Sequence, residues 1–256
     1  MKRFFAKTAL AAATVLCAGV AQAAVIDFEN VDTSGATLPP LIANLDIITQ
    51  GPFLLQGFDG TGTGDLTLVG SLIGPKSGGS CDPSTILCPT GNNTDYYAVT
   101  NTGALYMQGA GNITLTQFDA GFIAPAGGVP SGAFGLLAVE GDRADGSYAI
   151  GAFTLNGPGA SGTTAFSTFQ AADAIDGLFG GTTGTIGSGD FVDYQFLEFY
   201  CSTGSLGSCS LDHSNLGQFA LDNITFAGAV PEPSSWALMA LGIAGLGAAA
   251  RRRRSV

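Results

Sequence analysis

The 256-residue chain is short of basic side chains, histidine and tryptophan. Nine Lys and Arg stand against 20 Asp and Glu, a formal net charge of −11, with one histidine and one tryptophan. The bases also avoid the middle. Lys2, Arg3 and Lys7 lie at the start and Arg251, Arg252, Arg253 and Arg254 at the end, leaving only Lys76 and Arg143 between them. All carboxylates but Glu232 fall in that middle. A body so acidic lacks the Lys and Arg needed to displace counterions from phosphates, which excludes nucleic acid as a partner. With His213 alone, no multi-histidine metal site can form, and any Ser-His-Asp triad would have to use it. Long helical patterns are missing as well, which excludes a helical bundle.

What remains is rich in glycine, with 39, and in phenylalanine, with 17. Short apolar runs punctuated by turn residues favour strands over helices. The candidates are Val25–Glu29, Phe53–Phe58, Asp65–Ile73, Tyr96–Val99, Leu105–Met107, Ile113–Phe118, Ala133–Glu140, Ser147–Leu155, Ala165–Phe169, Tyr194–Tyr200 and Gln218–Phe226. The last is apolar on both faces and belongs in an interior. A short helical turn is expected within Phe169–Leu178. The pattern predicts an all-β fold, an antiparallel β-sandwich or jelly roll, as one domain over residues 24–227.

The N-terminus reads as an export leader over residues 1–23. A basic start is followed by the apolar run Thr8–Val20 and the small-x-small site Ala21-Gln22-Ala23, so the mature chain starts at Ala24. This implies a signal-peptide helix, a secretion translocon and signal peptidase. Cys17 leaves with the leader, and Cys81, Cys88, Cys201 and Cys209 remain. An even count in an exported chain implies disulfides. Of three connectivities we take nearest-neighbour pairing, Cys81–Cys88 and Cys201–Cys209. Neither spacing is the usual one for zinc.

Residues 228–256 form a tail with three ordered parts. Pro231 and Pro233 flank Glu232 and break any structure running in from the body. Trp236–Ala250 is an uncharged apolar helix candidate. At about 1.5 Å per residue it spans roughly 22 Å, short of a ~30 Å hydrocarbon core, which suits a temporary transmembrane anchor. Arg251–Arg254 follow as a basic anchor that stays cytoplasmic, so the body faces out. This order of Pro-Glu-Pro, apolar helix and Arg cluster resembles the PEP-CTERM sorting signal of Gram-negative bacteria, also catalogued as the C-terminal domain of ice-binding-type proteins. The resemblance implies recognition by an exosortase-type membrane peptidase, cleavage near the motif, and release or attachment at the cell surface. It also implies a role in extracellular polysaccharide or biofilm.

A second likeness rests on Asp27-Phe28-Glu29 and Gln218-Phe219-Ala220-Leu221-Asp222-Asn223. These resemble the opening and closing strands of PEP-CTERM proteins of the Gln-Phe-x-x-Asp type and, more loosely, galactose-binding-type jelly rolls with a structural calcium near that edge. Calcium is therefore the small ligand to test. Asp27, Glu29 and Asp222 converge on it if the terminal strands are neighbours, as a hard cation requires. The alternative is that Asp222 binds turn backbone and the other two are solvated. The acidic run Glu140–Gly146 reads as a surface turn, and Gly62–Leu66 only echoes calcium-binding glycine-aspartate repeats. Gly159–Thr163 misses the Gly-x-Ser-x-Gly elbow. No catalytic residue is assigned and no enzyme activity is expected. The expected role is structural or adhesive, with exopolysaccharide as partner. Two rivals have signatures of their own. A carbohydrate-binding module would expose tyrosines such as Tyr96, Tyr97, Tyr194 or Tyr200 on a concave face. A glycoside hydrolase would set two carboxylates in a cleft.

Overall fold

The computed structural model describes residues 23–60, 68–158, 162–179, 184–211, 216 and 218–227. Residues 1–22 of the leader, Ala21 among them, the tail with Pro231, Glu232, Pro233 and the Arg251–Arg254 cluster, Gly62–Leu66 and His213 lie outside them. No helix among the described residues is long and apolar enough to cross a membrane.

The described chain is all-β. Its strands are β1 (Ala24–Ile26), β2 (Leu41–Ala43), β3 (Ile47–Gln50), β4 (Phe53–Asp59), β5 (Leu68–Ile73), β6 (Ile86–Leu87), β7 (Tyr96–Val99) and β8 (Gly103–Pro125), then β9 (Phe134–Asp142), β10 (Tyr148–Leu155), β11 (Ser167–Gln170), β12 (Ile175–Asp176), β13 (Phe191–Cys201), β14 (Cys209–Ser210) and β15 (Gln218–Ala227). Short 3-10 turns sit at Ala171–Asp173 and Leu206–Ser208. The first of these falls within the expected helical segment.

Every pairing between strands is antiparallel. Two sheets share β8. The first runs β2-β5-β7-β15-β8-β11, and the second runs β12-β10-β9-β13-β8-β4-β3. The two expected strands Leu105–Met107 and Ile113–Phe118 are thus one strand. It pairs with β4 and β13 up to Gln108 and once more with β13 at Ile113, then with β15 from Thr114 onward. The crossing falls at Gly109–Asn112, where glycines let a strand turn a corner while its backbone stays extended.

Rings from the two sheets interlock to form the core. Phe118 of β8 meets Phe153 edge-on at 4.9 Å and Phe196 at 5.6 Å, while Phe226 of β15 lies 5.2 Å from Phe53 and 5.6 Å from Tyr194. Each such pair adds about 0.5–1.5 kcal/mol beyond its buried area. Tyr97 spans the gap by lying over two bare glycines: a Cβ on Gly70 would stand 2.3 Å from its hydroxyl, and one on Gly57 2.8 Å.

Both disulfides form as nearest-neighbour pairs. Cys81–Cys88 closes a loop over the outer face of the first sheet, where Ile73, Tyr96, Ala98, Ile123 and Ala220 form a second apolar cluster. Cys201–Cys209 joins directly opposed residues of β13 and β14.

Candidate functional site

The terminal strands are neighbours. β1 pairs with the second half of β15, Ala24 opposite Phe226 and Ile26 opposite Ile224, while β7 pairs with its first half. Asp222 and Asn223 fall at the junction, where the register slips and Asn223 takes φ 48°. Asp222 is 0 % exposed. Its Oδ2 accepts from Asn92 Nδ2 at 2.7 Å and Thr94 Oγ1 at 3.0 Å, and its Oδ1 accepts from the Asn223 amide at 2.7 Å. Asn223 Nδ2 also donates to Asp119 across the ladder at 2.8 Å. Burial pushes the Asp222 carboxyl up to about 6, against the donors that hold it down.

Asp27 and Glu29 are spent elsewhere. The expected strand stops at Ile26 because Phe28 takes φ 54°, stacking on Tyr97 at 5.9 Å. Asp27 Oδ1 accepts from the Glu29 amide and from Gln50 Nε2, and Gln50 Oε1 accepts from the Phe28 amide. Glu29 accepts from the Asp95 amide at 2.8 Å and pairs with the Lys76 ammonium, which holds its carboxyl below the usual range. The three carboxylates thus engage three different sets of protein donors. Among the described residues no three ligating side chains gather as a metal site. Lys76 is the basic side chain that pairs with Glu29.

The expected glycan-binding tyrosines are core residues. Tyr96, Tyr97, Tyr194 and Tyr200 are all buried, and Tyr194 Oη donates to Ile186 O and accepts from the Leu115 amide. A tyrosine on a half-buried strand satisfies the spacing of either face; here Tyr97, Tyr194 and Tyr200 face inward, and Tyr96 joins the covered outer cluster of the first sheet.

A polar row does occupy the outer face of the second sheet. Strand register places Asp142 beside Asp193 and Tyr148, and Glu140 and Tyr106 beside Gln195. Tyr106 Oη donates to Asp193 Oδ2 at 3.1 Å, and Gln195 Nε2 reaches Asp142 Oδ2 at 3.5 Å. Burial raises the Glu140 carboxyl, with Asp142 and Asp193 adding to it. Burial likewise raises Asp193, and Tyr106 is pushed up to about 12 by burial and by Asp193. Tyr148 stands at the end of the row, 39 % exposed. The face offers acceptors, amide donors and one open ring to a hydroxyl-rich partner. No spacing in the sequence announces it, because its members come from β8, β9, β10 and β13. The run Glu140–Gly146 divides accordingly: Glu140 and Asp142 are strand residues, and the turn is confined to Arg143–Ser147.

The comparisons with known proteins bear on the tail. Residues 229–254 match the family described as the PEP-CTERM protein-sorting motif. The chain therefore carries a PEP-CTERM sorting tail, which implies exosortase processing, the secretion machinery and an exported, surface-directed product with a transient membrane anchor. No curated protein matches the chain. Among solved structures, a DUF4465 family protein from Bacteroides caccae is similar at 12% identity and a TM-score of 0.43, over 80% of this chain and 98% of that one.

Proposed function

We propose that this protein is a structural or adhesive component of an exopolysaccharide or biofilm matrix, delivered by its sorting tail. The observation that carries the reading is the PEP-CTERM motif at residues 229–254, which begins two positions after β15 ends at Ala227. The body suits the destination. It holds two short-loop disulfides that an oxidising exterior maintains, and its surface charge keeps it soluble outside the cell. It acts by binding and scaffolding, without a catalytic step.

A carbohydrate-binding module is the second reading. The row of Tyr106, Glu140, Asp142, Asp193 and Gln195, with Tyr148 at its end, supports it. Polar groups fixed by a sheet lose little freedom when they meet sugar hydroxyls.

The test is fractionation of a native-type host that expresses the protein. Glu232→Ala is expected to leave a membrane-retained precursor, and the unsubstituted protein is expected in the matrix fraction. Normal release of the variant would remove the sorting step, and absence of the wild type from matrix polysaccharide would remove the matrix role.

A further inference from the structure

A depression of about 840 Å³ opens at the pole where β15 begins. Its walls come from five places. Leu87 of β6 is held against Ala124, Phe134 opens β9, Thr154 near the end of β10 and Asn156 just after it form another wall, and Leu206 rises from the loop closed by Cys201–Cys209. Ile175 of β12 stands on the remaining side. The size is that of a site for a ligand of a few rings.

Its chemistry differs from the rest of the molecule. No lining side chain carries a charge, although the body around it is strongly acidic. Apolar contact comes from Phe134, Leu87, Leu206 and Ile175, while the Thr154 hydroxyl and Asn156 amide offer directed hydrogen bonds. Glycines make up much of the remainder, which leaves backbone amides and carbonyls within reach of a ligand. Apolar walls with a few convergent polar groups are the make-up of small-ligand sites. Leu206 and Ile175 are 42 % and 41 % exposed, apolar side chains held in water on either side of the opening.

We infer that this depression binds a neutral oligosaccharide segment, one of two to four rings. The inference deepens the matrix role proposed above and rests on it. Sugar rings present apolar C–H faces to the aliphatic and aromatic walls and hydroxyls to Thr154, Asn156 and the bare backbone. Uronate-bearing glycans are disfavoured, since the surrounding carboxylates repel them and the walls hold no cation. The site lies at the opposite end of β15 from Ala227.

The test uses the exported protein recovered from its host, run in affinity electrophoresis against dextran, a neutral glucan, and alginate, an acidic polymer. Retardation is expected in dextran and not in alginate. Leu206→Asp and Ile175→Asp place a charge on exposed rim positions that the fold does not need, and each is expected to weaken dextran retardation at least tenfold with an unchanged melting temperature. Val25→Ala, at an exposed position of β1 beside the far half of β15, is expected to leave it intact. Retardation that survives both rim variants, or that Val25→Ala abolishes, overturns the assignment. So does uptake of a fluorescent fatty acid without any glycan retardation. Failure of the pocket is separable from failure of the matrix role: a rim variant that still fractionates with matrix polysaccharide sinks only the pocket, and a wild type absent from that fraction sinks the role.

Discussion

A carboxyl oxygen of Glu198 lies over the bare Cα of Gly135, where an added methyl group would stand 1.9 Å from it. Glu198 is 1 % exposed, points into the core from β13, and neither of its oxygens has a hydrogen-bond partner. Burial pushes its carboxyl well above the ordinary value of 4.5. An acid whose folded-state value is raised stabilises most below its unfolded value, and that contribution is lost as pH rises through the folded value. Glu198→Met is therefore expected to raise stability at pH 8 by about 1–3 kcal/mol, the cost of an unpartnered buried polar group, and to have a smaller effect near pH 4. Urea midpoints at the two pH values check the sign.

The glycine in that pair is equally constrained. Gly135→Ala collides with Glu198 and, at 2.9 Å, with the Phe122 ring. Overpacking of this kind costs about 1–3 kcal/mol. Much of that loss should be recovered in the Gly135→Ala, Glu198→Ala double variant. Equal losses with and without Glu198 would show that the ring, not the carboxyl, sets the cost.

Tyr97 carries a buried hydroxyl without a partner, cradled by Gly57 and Gly70. Tyr97→Phe is expected to be neutral or stabilising by about 1 kcal/mol, because only an unsatisfied group is removed. Gly70→Ala is expected to destabilise by about 1–3 kcal/mol. Thermal melts of both variants decide it.

Asp222 anchors the covering loop through Asn92 and Thr94. Asp222→Ala leaves those donors and the Asn223 amide without their acceptor, at about 2 kcal/mol. Faster amide exchange over residues 89–95 is the expected local sign. The Asp222 carboxyl, raised from 3.8 to about 6, contributes most below pH 3.8. That contribution declines as pH rises to about 6, so the wild type should gain stability on acidification across this window.

Replacing Cys81 and Cys88 by serine should cost about 2–3 kcal/mol on the chain-entropy model for a short loop. The same pair holds the cover of the outer apolar cluster, so dye binding to exposed apolar surface should rise with it.

Particular elements show what the sequence could reveal. β4, β7, β10 and β15 are legible because their apolar residues either alternate or run unbroken. β8 reads as two strands because Gly109 to Asn112 has turn chemistry, and only the partners on either side show that the strand continues around the corner. β2, β3, β6, β12 and β14 have two to four residues each, too few for a period, and exist through the strands they join. The meeting of the terminal strands was legible in the Asp27-Phe28-Glu29 and Gln218–Asn223 segments. The separate partners of Asp27, Glu29 and Asp222 were not, since Gln50, Lys76 and Asn92 are distant in sequence. The outer row of Tyr106, Glu140, Asp142 and Asp193 depends wholly on register, which no spacing along one strand encodes.

The position of β15 has a mechanical consequence. It lies between β8 on one side and β7 and β1 on the other, and the chain leaves the body at its end. A pull on the tail, resisted by anything gripped at the far pole, runs lengthwise along this strand. The ladder bonds on both edges are then loaded together in shear rather than opened one after another. The strand that hands the chain to its sorting tail is thus also the one placed to carry a load applied there.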